Sequence, residues 1–194
     1  MPKTKQFDEA EVLKAAKEVF CEKGYNGTSM DDLVQATGLS RSSIYDTFGD
    51  KHGLFLKSLN QYRYAQQGDL QQLLSKTESP KKRIRFVFDY VVKDMLADEA
   101  NKGCLLVNVT MEMSCVDKDI AGIAADNMHE MEQLFYHLVK EGQASGEIAK
   151  KFPAKALARH LFNSLMGLRI TGKSRPEADT LKDVVKLAMA ILDE

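Results

Sequence analysis

No charge of one sign dominates this chain. Its 27 Lys and Arg stand against 28 Asp and Glu, a net charge of −1, so the bulk electrostatic footprint of a nucleic-acid binder is missing. The first 57 residues are no more basic, with eight cations against nine anions. Any role on DNA has to come from where the charges sit. Long apolar runs are missing too, none reaching the roughly 18 residues of a membrane span. The opening M-P-K-T-K-Q-F-D-E-A has no apolar stretch of the secretory kind. Cysteine is scarce: three is an odd number, and no C-x-x-C pair occurs. That argues against a disulfide framework or a structural zinc site and for a reducing, cytoplasmic compartment. A glycine-rich phosphate loop, a nucleophile elbow and a Cys/His dyad are absent by spacing. Asp126 and His129 form a lone acid-x-x-His, without the repeated carboxylates of a di-metal bundle. Catalytic residues, a metal, a cofactor and an enzymatic activity are therefore not expected.

What is present is helical periodicity. The 194 residues are 44% apolar, enough for a core in one or two domains. Phe7, Asp8, Glu11 and Val12 have the spacing of a capping box with a hydrophobic staple. They start a first helix whose stripe is Val12, Ala15, Ala16, Val19 and Phe20, ended by Gly24 and a Y-N-G turn. Residues 1–6 form an arm carrying Lys3 and Lys5. Thr28 or Ser29 caps a second helix with Met30, Leu33 and Val34 inward, and Gly38 stops it. Ser40 caps a third, from Arg41 to about Thr47, with Ile44 and Phe48 inward. Helix, glycine turn and helix is the layout that sets a recognition helix in the DNA major groove. Asp50 caps a fourth, Lys51 to about Ser75, whose polar second half connects two domains. Ser79-Pro80 opens a fifth. Further helices cover Cys104 to about Met113, Asp117 to Gln143, Pro153 to Thr171 and Glu177 to Leu192. The expected fold is all-α, about nine helices. A three-helix helix-turn-helix domain spans residues 1–52, and a helical-bundle domain spans 53–194.

The run A-A-K-E-V-F-C-E-K-G-Y-N-G-T-S-M-D-D-L-V-Q-A-T-G-L-S-R-S-S-I-Y-D-T-F-G-D-K-H-G-L, within residues 8–60, resembles the tetracycline-repressor (TetR) family of bacterial transcriptional regulators. Its marks are G-Y-x-G-T-S, the A-x-x-G-L-S turn, I-Y-x-x-F and D-K-x-x-L. The resemblance implies a homodimer that represses from a palindromic double-stranded DNA operator and is released by a small-molecule effector. Carried onto this sequence, it implies DNA contacts at Thr28, Ser29, Arg41, Ser42, Ser43, Tyr45, Thr47 and Lys51. Hydroxyls and helix N-termini hold phosphates, and Arg41 is the residue suited to a guanine edge. Asp46 departs from this chemistry; it either accepts from cytosine N4 or points away. His52 is a candidate phosphate contact.

Cys104, Asn108 and Glu112 share a helix face. With Met111, Met128, Met131, Phe162 and Met166 they are the candidate effector pocket, methionine being adaptable. Three readings of Cys104 stay open: a core residue, an unreactive pocket wall, or a thiol sensor of electrophiles or oxidants. Core packing accounts equally for most of these methionines and aromatics. Helices eight and nine, apolar with small residues, are the expected dimer contact.

Overall fold

The computed structural model describes residues 7–98, 100–174 and 177–194; the arm with Lys3 and Lys5 lies outside them. Among the described residues there are nine α-helices and no strand: α1 Glu9–Gly27, α2 Met30–Thr37, α3 Arg41–Phe48, α4 Lys51–Leu74, α5 Pro80–Ala97, α6 Leu105–Met113, α7 Lys118–Ser145, α8 Ala154–Gly172 and α9 Ala178–Ala190. None of them is long and apolar enough to cross a membrane.

Local chemistry fixes most helix ends. Asp8 Oδ1 accepts from Ala10 N at 2.8 Å, while Glu11 faces Lys14 at 4.0 Å. The expected reciprocal box at α1 is therefore replaced by a simple cap. Gly24, with φ 72 and ψ 174, interrupts α1 without ending it, and Tyr25–Gly27 adds one more turn. That backbone region is nearly exclusive to glycine. Ser79 caps α5 ahead of Pro80, a proline whose missing amide costs nothing in a first turn.

Two compact units result, and they do not follow the division at residues 52 and 53. One comprises residues up to Gly68 together with Cys104–Ile120; the other comprises Asp69–Gly103 with Ala121–Glu194. The difference lies in residues 53–68 of α4, which fall in the first unit, and in α6, which packs on α1 by burying Leu105, Leu106, Val109 and Met113. In the first unit Phe20, Leu33, Ile44, Leu54, Phe55 and Leu59 are fully buried. Phe20 and Phe55 meet edge to face at 4.8 Å, and Tyr25 joins Phe55 at 5.0 Å. These ring contacts tie α1 to α4. The second unit packs α5, α8 and α9 against one another. Its core includes Phe88, Phe135, Leu161, Leu165, Leu181 and Val185.

Candidate nucleic-acid interface

Two serines set up the short helices. Ser29 Oγ accepts from Asp32 N at 3.1 Å, and Asp32 Oδ2 accepts from Ser29 N at 2.9 Å, a capping box. Lys23 Nζ lies 2.6 Å from Asp32 Oδ1. Lys23 and the Ser29 hydroxyl and amide hold the Asp32 carboxyl far below the usual carboxylate range. Gly38 closes α2 in the left-handed conformation (φ 69). Ser40 Oγ then accepts from Ser43 N at 3.1 Å and lies 2.9 Å from the Ser42 and Ser43 hydroxyls. The start of α3 thus carries a hydroxyl cluster beside unpaired first-turn amides, chemistry suited to a phosphate oxygen.

Ile44 and Phe48 are buried and anchor α3. On its other side Arg41, Ser42, Tyr45 and Asp46 are exposed, with Ser43 and Thr47 half-buried at the flanks. Arg41 Nη2 sits 2.7 Å from Asp31 Oδ1, with side chains 54% and 87% exposed. So open a pair is worth about 0–1 kcal/mol, and the guanidinium stays accessible to solvent. Asp46 has no hydrogen bond or ion pair among the described residues.

Two of the expected contacts are placed differently. Thr28 is 2% exposed, and its hydroxyl donates to Gly24 O at 2.6 Å. Lys51 Nζ donates to Tyr25 O and Thr28 O, both at 2.9 Å, and lies 4.3 Å from the Tyr25 ring. Tyr25 O also accepts from Thr28 N at 3.3 Å, so these side-chain donors add to the backbone pairing of the α1–α2 link. Both side chains therefore brace the reader instead of reaching outward. His52 likewise turns to Asp117, Nε2 to Oδ2 at 2.8 Å. Asp117 Oδ1 accepts from the Asp119 and Ile120 amides at 3.0 Å. The Ile120 amide, with His52 beside it, lowers the Asp117 carboxyl pKa. With Asp119 these residues bring three potential metal-ligand atoms within 4.8 Å of one another. His52 and Asp117 are 65 residues apart, so spacing could not reveal them. Hydrogen bonds already account for both Asp117 oxygens.

The eight pocket candidates fall in both units. In the first unit Cys104 is buried and receives the Tyr62 hydroxyl at 3.5 Å. Asn108 is half-buried on α6, Met111 is 77% exposed, and Glu112 accepts two backbone amides. In the second unit Met128 is exposed, and Met131, Phe162 and Met166 pack against the core. A cleft of about 340 Å³ in the second unit is walled by α4 and α5, with Leu73, Phe86 and Tyr90 as its apolar lining and Asp69, Asp89 and Lys76 among its charges.

Residues 12–57 match the family described as "Bacterial regulatory proteins, tetR family", and residues 80–186 match "Tetracyclin repressor-like, C-terminal domain". The Uncharacterized HTH-type transcriptional regulator YezE of Bacillus subtilis (strain 168) is 34% identical over 194 residues, 100% of each chain. The HTH-type transcriptional repressor ComR of Escherichia coli (strain K12) is 26% identical over 98% of this chain and 91% of its own. Among solved structures, a cysteine-substituted variant of the regulator CifR, complexed with 26-base-pair double-strand operator DNA, superposes with a TM-score of 0.87 at 25% identity, covering 98% of this chain and 99% of that one.

Proposed function

Because the chain belongs to the tetracycline-repressor (TetR) family of bacterial transcriptional regulators, we propose that it is a homodimeric repressor of a palindromic operator, released by a small-molecule effector. DNA recognition is assigned to residues 1–52, and effector binding and dimerisation to 53–194, except that α6 belongs structurally with the reader. The carrying observation is the outer side of α3. It presents Arg41 in a loose ion pair beside the Ser40, Ser42 and Ser43 hydroxyls, on a helix anchored by Ile44 and Phe48.

On this reading Ser29, Ser42, Ser43, Tyr45 and Thr47 set register on phosphates, and Arg41 reads a base edge. Thr28 and Lys51 act by holding the link that aims α2. One recognition helix is a weak reader, so two copies about 34–36 Å apart address the two half-sites. Ile170 on α8 and Leu187 on α9, 58% and 70% exposed, supply apolar surface for that pairing. The cleft between α4 and α5, apolar with charges of both signs, suits a small ligand with a ring and an ionic group. Catalysis has no part in this role, and turnover is not expected.

Selection of random duplex DNA by the purified protein tests the proposal. An enriched inverted repeat is the expected result; enrichment of no sequence, or of an asymmetric one, would contradict it. Release through Cys104 is the competing trigger. Its burial and the Tyr62 contact favour a packing role, since reactive thiols are accessible. Cys104→Ser should therefore keep effector-driven release, and an oxidant should leave operator affinity of the wild type unchanged. Oxidant-driven release that disappears in Cys104→Ser would establish the thiol trigger instead.

A further inference from the structure

Glu112 has a place in the first unit that neither a pocket wall nor a solvated side chain accounts for. After the break at Gly24 the chain makes one helical turn, Tyr25–Gly27, before α2 begins. The first amides of such a turn lack partners in the helix before it. Glu112 supplies both acceptors: Oε2 accepts from Tyr25 N at 3.0 Å, and Oε1 accepts from Asn26 N at 2.8 Å. The Asn26 side-chain amide also donates to Met113 Sδ at 3.5 Å. On the other side of the same link, Lys51 holds the Tyr25 and Thr28 carbonyls. The link that aims α2 is thus gripped by its amides from α6 and by its carbonyls from α4.

Gly24 fits the same arrangement. A Cβ built there would stand 2.8 Å from Glu112 Oε2, and the φ of +72° already disfavours any other residue. The carboxylate comes this close because nothing projects from position 24.

We propose that Glu112 is a positioning residue for DNA recognition: by capping the turn between α1 and α2 it fixes how α2 leaves α1, and with it where α3 presents Arg41. This rests on the reading of α3 as the recognition helix. The role requires a carboxylate. Two N–H donors need two acceptor oxygens, and glutamine would turn an NH₂ group onto one of them.

The test compares full-length wild type, Glu112→Gln, Gly24→Ala and the double variant. Affinity for the selected operator and for unrelated duplex DNA is read by fluorescence anisotropy, alongside backbone hydrogen exchange without DNA. Glu112→Gln should lose operator affinity about tenfold while affinity for unrelated DNA changes less than about twofold, because merely partial unfolding would lower both alike. Gly24→Ala removes the same contact, so the double variant should fall short of the sum of the two effects. Exchange should quicken at Tyr25 and Asn26 and onward into the opening turns of α2 and α3. Operator affinity equal to wild type, or faster exchange confined to Tyr25 and Asn26, would overturn the proposal. If the wild type selects no operator, the reading of α3 has failed. The exchange pattern still decides whether Glu112 positions these helices.

Discussion

Arg41 is held in readiness by a partner that gives it up easily. Its ion pair with Asp31 bridges α2 and α3 in the open, so binding costs little of what the pair contributes. Arg41→Ala should lose about 1–3 kcal/mol of discrimination at one base position while leaving thermal stability nearly unchanged; a full base-preference profile of the variant checks this. Lys51 behaves in the opposite way. It serves two carbonyls and an aromatic face inside the protein. Lys51→Met should lower stability by about 1 kcal/mol, read by denaturant titration, and leave the salt slope of DNA binding nearly unchanged. Asp32 ties stability to pH. Its carboxyl lies far below the ordinary 3.8 in the folded chain, so its contribution is fully present above that value and is lost as pH falls below it. Asp32→Asn should lower the melting temperature near pH 7, and the gap to wild type should narrow between about pH 4 and pH 2. The exposed place of Arg41 at the start of α3 was legible in the sequence; the role proposed for it awaits the base-preference profile. The contacts of Lys51 and Glu112 were not legible, because their partners lie 23 to 87 residues away.

The short helices α2 and α3 are each only 8 residues long, below the length at which a helix is stable alone. Caps and a few buried side chains hold them. Ser40→Ala should destabilise the chain by about 1 kcal/mol and weaken operator binding, since it loosens the turn that presents Arg41; calorimetry and operator titration read the two effects. Elements of this kind were readable from sequence because their signals are local: Ser40 and Ser29 as caps, Gly38 as a stop, Ile44 and Phe48 at i, i+4. Element ends moved by a residue or two at α3, α4, α6, α7, α8 and α9. The larger surprises were non-local. Gly24 looked like the end of α1, yet Glu112 from α6 caps a further turn beyond it. Periodicity says which face of α6 is apolar, but not what that face covers.

At the level of the whole chain, grouping α6 with the first three helices and most of α4 is what no composition shift could announce. Lys23, Arg41 and Lys57 are each paired with a carboxylate within the first unit, so on the proposed function recognition relies on placement more than on field. Pairing through α8 and α9 predicts that Leu187→Glu, at an exposed position, weakens dimerisation at least about tenfold. Sedimentation across a concentration series measures it, and operator binding should fall in step. The proposed reading of paired half-sites by paired copies of α3 is tested most directly by titrating the protein onto the selected operator and onto the same duplex with one half-site scrambled. A loss of at least about a hundredfold on scrambling is the result expected; equal affinity for the two duplexes would contradict it.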